Sequence, residues 1–257
     1  MSINPGSPIP VYQQIAADLR DAINGGVLAD GDRLPSLREL RERYSSAAGT
    51  IKSALDELEN EGLVIVLQGR GTFVRSPKRL RRYGSRRHIL ADRPGEKGPL
   101  EVEAERQGSK REQNVTDVST SAASAEIAKR LHLDPGHSIV TRETLISVDR
   151  FPSQIATSFF PLEIASGSIL ERNEKVPGGV HRFLVEELGI QLNPFAVEEL
   201  LARMPTPTER RTLALSAGAP IIELWRTFFD RNERPVEVTQ FLLAADRNIL
   251  VYEVPLE

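Results

Sequence analysis

Residues 34–74, LPSLRELRERYSSAAGTIKSALDELENEGLVIVLQGRGTFV, constrain the fold of this chain more than any other stretch. Ser36-Leu37-Arg38-Glu39 is a capping box: the Ser36 hydroxyl can take the N3 amide while Glu39 reaches back to the Ser36 amide. Leu37, Leu40 and Tyr44 follow at helical spacing and predict a buried stripe. The small, polar run 45–49 predicts a tight turn. A second helix is expected from Ala47 or Thr50 to about Glu61, with Ile51, Leu55 and Leu58 inward and Ala54 allowing close packing. Gly62 stands where a left-handed residue ends a helix. Strands at 63–67 and 72–74 then flank the tip Gln68-Gly69-Arg70-Gly71. Upstream, Val11, Ile15, Leu19 and Ile23 share one face of a helix over 11–24, with Pro10 suited to its first position and Gly25-Gly26 to its end.

Two short helices followed by a glycine-tipped hairpin describe a winged helix-turn-helix, which sets one helix in the DNA major groove and a β-ribbon beside it. The helix pair alone would also suit a small helical core or a protein-docking module. The glycine-bracketed wing and its flanks favour duplex DNA as the partner.

The overall charge of −3 looks wrong for such a partner, so its distribution matters. Residues 1–77 carry a net −2, but the run KRLRRYGSRR brings residues 1–88 to +4, leaving −7 for 89–257. That run either follows phosphates, adding a salt-dependent and sequence-independent attraction, or serves as a solvated linker. The chain has no cysteine, which excludes disulfides, thiolate metal sites and a cysteine nucleophile, and fits a reducing cytoplasm. No apolar run approaches the ~18 residues of a membrane span.

The segments PVYQQIAADLRDAI, GDRLPSLREL, TIKSALDELENEGLV and QGRGTFV closely resemble the GntR family of bacterial transcription regulators over residues 8–76. That resemblance implies operator contacts from Ser36, Arg38, Thr50, Lys52, Gln68 and Arg70. Many members of the family carry Ser-Arg where this chain has Ala47 and Ala48, so one arginine that usually reaches DNA is missing. Lys52 replaces a usual arginine and lacks its bidentate fork. Base readout is therefore expected to be shared with Arg38 and Arg70, since arginine pairs bidentately with guanine.

Pro77, Pro94, Gly95, Gly98 and Pro99 punctuate a connector over 77–114, where little packed core is expected beyond a short helix or strand at LEVEAERQG. The remainder, 115–254 or from near 90, reads as strand pairs mixed with helices. A helix follows Ser124, and Asp134-Pro135-Gly136 is a turn. Strands at 139–148 and 153–160 are separated by Asp149-Arg150-Phe151-Pro152, and a helix spans 180–188. A second capping box at Thr206-Pro207-Thr208-Glu209 opens a helix to about Leu215. Strands at 220–230, 235–244 and 249–254 complete an α+β domain with a mostly antiparallel sheet.

The marks LHLDPGHSIVTRETL, FPSQIATSFFPLEIA and ARMPTPTERRTLALSAGAPIIELWRTFFDRNERPVEVTQFLLAADRN resemble the UTRA effector domain of the HutC branch of GntR regulators. This resemblance implies a chorismate-lyase-like fold, a small-molecule pocket and a homodimer. Members that bind phosphosugars carry an Arg-x-Arg pair and an acidic residue where this chain has Thr144, Ile146 and Ala156, so a phosphosugar effector is disfavoured. Arg142, Ser158 and Glu237 are the expected effector contacts, with Arg203 and Arg226 as further polar candidates.

The competing class is a chorismate-lyase-like enzyme acting on a small carboxylate. The chain shows no nucleophile motif, no phosphate-cradling glycine loop and no convincing acid/base pair. His132 and His137 stand five apart across a Pro-Gly turn, not at the spacing of a helical metal pair. No metal, cofactor or catalysis is expected. The sequence reads as a cytoplasmic, homodimeric, effector-controlled DNA-binding regulator, with repression the expected mode.

Overall fold

A computed structural model describes residues 3, 4, 6–67, 71–74, 79–84, 97–216, 218–254 and 256. Chain contacts divide it into two units: 1–78 with 215–219, and 79–214 with 220–257. No helix among the described residues is long and apolar enough to cross a membrane.

The N-terminal unit contains α1 (Val11–Asn24), α2 (Leu37–Tyr44), α3 (Ala48–Asn60), β1 (Val64–Leu67) and β2 (Gly71–Val74). Ile15, Leu19 and Ile23 of α1 pack with Leu40, Tyr44, Ile51, Ala54 and Leu58 in one core closed by Leu34, Val64 and Val74. Both capping-box bonds form at Ser36, so two of the amides orphaned at the start of α2 are satisfied. Leu37 is exposed rather than part of the buried stripe: it is the first residue of α2, ahead of the turn that Leu40 and Tyr44 pack. Pro10 is the residue before α1, not its first helical residue. Gly62 adopts φ +76° and the Leu63 amide returns 2.9 Å to the Leu58 carbonyl, a left-handed stop that turns the chain into β1. Polar pins hold the helices in place: the Tyr44 hydroxyl donates to Asp18 at 2.7 Å, and Arg20 reaches Glu57 and Glu61. β1 and β2 pair antiparallel, with Leu67 opposite Gly71.

The second unit is built on a six-stranded sheet ordered β4-β5-β6-β9-β8-β7. Its strands are β4 (Arg111–Ala122), β5 (Ser138–Val148), β6 (Phe151–Pro161), β7 (Val197–Arg203), β8 (Ile221–Phe229) and β9 (Pro235–Ala244). Every neighbouring pair is antiparallel. Helix α5 (Ala125–Leu131) packs Ile127, Ala128 and Leu131 against Ile139, Phe159, Trp225 and Val238 on one face. The other face buries Val140, Phe160, Phe228 and Val236. Over it lie α6 (Leu162–Ala165), a 3₁₀ turn (Ile169–Glu171) and α7 (Val180–Glu186). α8 (Pro207–Thr212) begins at the second capping box, whose two bonds both form.

Three features differ from the sequence reading. The connector over 77–114 is folded at 79–84 and 97–114, while 77, 78 and 85–96 lie outside the described residues. β3 (Leu80–Tyr83) pairs in parallel with β10 (Asn248–Val251), and α4 (Pro99–Arg106) buries Leu100 and Ala104 with Leu80, Ile146 and Val148. A few apolar residues in a charge-rich stretch suffice for this, because β3 buries only Leu80 and Arg82 and α4 only Leu100, Val102, Glu103 and Ala104. The β5–β6 hairpin turns on two residues, Asp149 (φ 49°) and Arg150 (φ 70°), rather than four; left-handed geometry at both matches the twist of the flanking strands. Finally, both edge strands of the sheet, β4 and β7, form where no strand was anticipated.

Candidate functional site

In the N-terminal unit, the residues expected at DNA are displayed rather than buried. Arg38 is exposed on α2 and lines a shallow groove with Arg41, Glu42, Ser45, Ser46 and Ala47, beside the start of α3. Lys52 is exposed and Thr50 half-buried in the first half of α3. The Ser36 hydroxyl is occupied, accepting from the Glu39 amide and donating to its carboxylate at 2.6 Å. Gln68 and Arg70 lie outside the described residues. Unlike α2, helix α3 starts at a residue without a capping side chain, Ala47, so its first-turn amides rely on water or a bound group. Two cations escaped the sequence reading. Arg41 shares the groove of Arg38, one helical turn on. Arg33 bridges to Phe73, and a Cβ on Gly71 would sit 2.8 Å from its Nε, which places a guanidinium against the base of the wing. Only the pairing of 31–34 with β2 reveals it.

The second unit holds a cavity of about 160 Å³ between the sheet and its covering segments. Register builds its floor. Arg142, Thr144 and Ile146 of β5 stand opposite Ser158, Ala156 and Gln154 of β6. Ser158 and Ala156 stand in turn opposite Thr239 and Phe241 of β9, and Thr239 opposite Arg226 of β8. Directly opposed residues share a face, so these side chains converge on one patch. Leu100, Val176, Val180 and Phe228 add apolar walls.

All three expected effector contacts line this cavity, but their partners differ. Arg142 is buried, and its guanidinium donates to the carbonyls of Ile169, Leu170, Arg172 and Glu174 at 2.6–3.2 Å. It therefore organises the segment that covers the cavity, using donors that the sequence reading assigned to an effector. Ser158, Thr239 and Glu237 form a hydrogen-bonded chain, each link 2.8 Å. Burial pushes the Glu237 carboxyl above the ordinary glutamate range, against the opposing effects of Thr239, Ser158, Arg226 and Arg142. Arg226 is held at 2.6 Å by Glu198 and lies over the Phe241 ring at 4.9 Å. Arg203 is not a lining residue; it joins Glu209 of α8 to Glu223 of β8.

Thr144, Ile146 and Ala156 do line the cavity, so the departures from the phosphosugar pattern fall inside it. The cavity nonetheless gathers cations that sequence spacing did not connect: Arg82 from the basic run, Arg111 and Lys175. Arg111 and Lys175 share Glu101, at 3.5 and 3.1 Å. Arg82 is buried, so at this position the basic run follows neither phosphates nor solvent. Among the described residues no group of His, Asp or Glu is arranged to hold a metal.

Two family models match: "Bacterial regulatory proteins, gntR family" over residues 11–74 and "UTRA domain" over 106–248. An uncharacterised HTH-type transcriptional regulator of Streptomyces coelicolor is 30% identical over 224 residues, covering 85% of this chain and 82% of the relative. The HTH-type transcriptional repressor NagR of Bacillus subtilis is 29% identical over 255 residues, covering 98% of each. The crystal structure of PhnF from Mycobacterium smegmatis shares the fold, with TM-score 0.59 at 23% identity over 95% of this chain and all of that one.

Proposed function

The chain belongs to the gntR family of bacterial regulatory proteins and carries a UTRA domain, so it is an effector-controlled DNA-binding transcription regulator rather than an enzyme, and we propose that it is a cytoplasmic homodimer that represses genes from a two-fold operator. Arg38, Thr50 and Lys52, with the wing residues Gln68 and Arg70, read the operator, and Arg33 and Arg41 add phosphate contacts. Ser36 acts indirectly, fixing the start of α2 so that Arg38 is held at the groove. The effector sits in the cavity of the second unit, against Ser158 and Glu237, under the segment that Arg142 holds.

The observation that carries the DNA assignment is Arg38 standing exposed in the groove beside the uncapped start of α3. A two-fold operator needs two reading heads. The sheet supports self-association through its β7 edge. Val197, Leu200 and Leu201 are exposed on it, with Phe195 and Met204 at its ends. The β4 edge is guarded instead by a bulge at Val115/Asp117 and by the charges of Lys110, Glu112 and Asp117.

The test uses the full chain and the DNA upstream of its own gene, followed by fluorescence anisotropy and a reporter fusion. Specific binding of one fragment, a dimeric stoichiometry and lowered reporter output are expected. Binding no tighter than to scrambled DNA overturns the operator assignment, and raised reporter output overturns repression.

A further inference from the structure

The cavity's chemistry narrows the effector, granted the reading above that the effector binds there. The charges of its lining are met within the protein. Arg226 pairs with Glu198, Arg111 and Lys175 share Glu101, and Arg142 serves four backbone carbonyls. Arg82 has interactions of its own. Glu237 is buried, which favours the neutral acid, with its proton on the oxygen that Thr239 does not meet. Among the described residues, the lining thus holds no charge that waits for an opposite one.

Two uncharged acceptors remain on the floor. Gln154 is 2% exposed, yet its buried Oε1 accepts no hydrogen bond. A buried amide oxygen without a donor is destabilising, so the site favours a group that supplies one. The second acceptor is Ser158. Thr239 donates to Glu237, so it takes its other bond from the Ser158 hydroxyl, and the Ser158 oxygen keeps its lone pairs for a ligand. An anion would bring acceptors to acceptors, and a cation would stand among five cationic side chains. Both sites call for an uncharged donor. Gln154 and Ser158 lie four residues apart on β6, about 13 Å along the strand, with the small Ala156 between them, so one donor cannot serve both. A water takes roughly 10–15 Å³ of such space, so a 160 Å³ cavity admits roughly a dozen non-hydrogen atoms.

We infer that the effector is an uncharged polyhydroxyl compound of monosaccharide size, whose hydroxyls donate to Gln154 Oε1 and Ser158 Oγ. Gln154 is thereby a specificity-determining residue, because it rewards a hydroxyl and offers nothing to an anionic group. The apolar walls of Val176, Val180, Phe228 and Phe241 pack against the carbon skeleton between the hydroxyls.

The experiment measures binding to the full chain by calorimetry. Glucose, mannitol and myo-inositol are each compared with their monophosphates, and gluconate supplies a carboxylate. At least one neutral compound should bind at least tenfold more tightly than its charged counterpart, and Gln154→Met should weaken it at least tenfold. Because Oε1 has no partner to lose, the same substitution should leave the melting temperature of the ligand-free protein unchanged or raised. A lowered melting temperature assigns Gln154 to the framework and overturns its ligand role, as does neutral binding that survives both Gln154→Met and Gln154→Leu. Charged members that bind as tightly as the neutral ones, or neutral members that do not bind at all, overturn the ligand class. Neutral binding that behaves as expected while operator affinity stays unchanged upholds this chemistry and sinks the effector reading of the cavity. Operator affinity that responds to a phosphate or to gluconate alone upholds that reading and overturns the chemistry.

Discussion

In the N-terminal unit, the residues proposed to contact DNA lie close together in sequence, and Arg38 and Lys52 stand at exposed helix positions. In the C-terminal unit, the residues around the cavity run from Arg82 to Phe241, and Arg82, Arg142, Gln154, Arg226 and Glu237 are all buried. The first arrangement separates function from stability: an exposed arginine can be lost with the core untouched. The second does not, because a side chain that lines the cavity also satisfies the groups around it.

The sharpest way to break that contrast is Arg142→Met. Its guanidinium serves four carbonyls of the covering segment; methionine removes that donor from all four, leaving Ile169 and Arg172 only the bonds from the Arg172 and Glu174 amides. A loss of roughly 3–5 kcal/mol is expected in the second unit's unfolding, measured by denaturant titration followed at Trp225. A loss below ~1 kcal/mol would show that the cover stands without Arg142 and that its donors are available to the effector.

Arg38→Ala tests the other side. Stability should stay within ~0.5 kcal/mol of the parent, because the residue is exposed. Operator affinity should fall by roughly 1–3 kcal/mol at fixed salt. A variant that loses stability as well as affinity would place Arg38 in the head's framework rather than at DNA.

The same division governs what could be read in advance. Helices α1, α2 and α3 and the central strands β5, β6, β8 and β9 follow apolar periodicity and local stop signals, and they form within a few residues of the expected limits. The two edge strands do not announce themselves. β4, REQNVTDVSTSA, half-buries alternate positions, but Arg111 and Gln113 among them are polar, so no apolar alternation shows, and β7, VEELLAR, is composed largely of good helix formers. Pairing with β5 and β8 overrides those preferences. Arg142, Ser158 and Glu237 were legible as polar residues in apolar strands. Gln154, Arg82, Arg111 and Lys175 were not, since sheet register and the docking of β3 and α4 bring them together across long separations. Ser36 shows a limit of another kind: its capping role was plain, but not that its hydroxyl proton goes to the Glu39 carboxylate.

A smaller effect concerns the β7 edge. Leu201→Asp puts a charge on an exposed apolar position, so the folded protomer should be unaffected while the proposed dimer weakens by roughly 2 kcal/mol. Sedimentation over a concentration series reads this directly. A dimer as tight as the parent's would move the interface elsewhere while leaving the dimer itself intact.

The smallest effects come from one carboxyl in each unit, and their signs differ. Hydrogen bonds from the Ser36 hydroxyl and amide hold Glu39 below the ordinary glutamate range. Its charged form is favoured by folding, so its contribution is complete above the unfolded pKa and fades as pH falls through the folded one. Burial holds Glu237 above that range, so folding favours its protonated form. The Glu237 contribution is complete below the unfolded pKa and is lost as pH rises through the folded value. Glu39→Gln should therefore lower the head's melting temperature at pH 7 and change it little at pH 3. Glu237→Gln keeps an acceptor for Thr239 but removes the charge. It should raise the second unit's melting temperature at pH 7 by about 2–4 °C and by less at pH 4.5. Calorimetric scans of both variants at the three pH values separate the two signs. A Glu237→Gln gain that does not grow with pH would mean that Arg142 and Arg226 keep that carboxylate charged, making it a counter-ion within the cavity instead of a neutral acid.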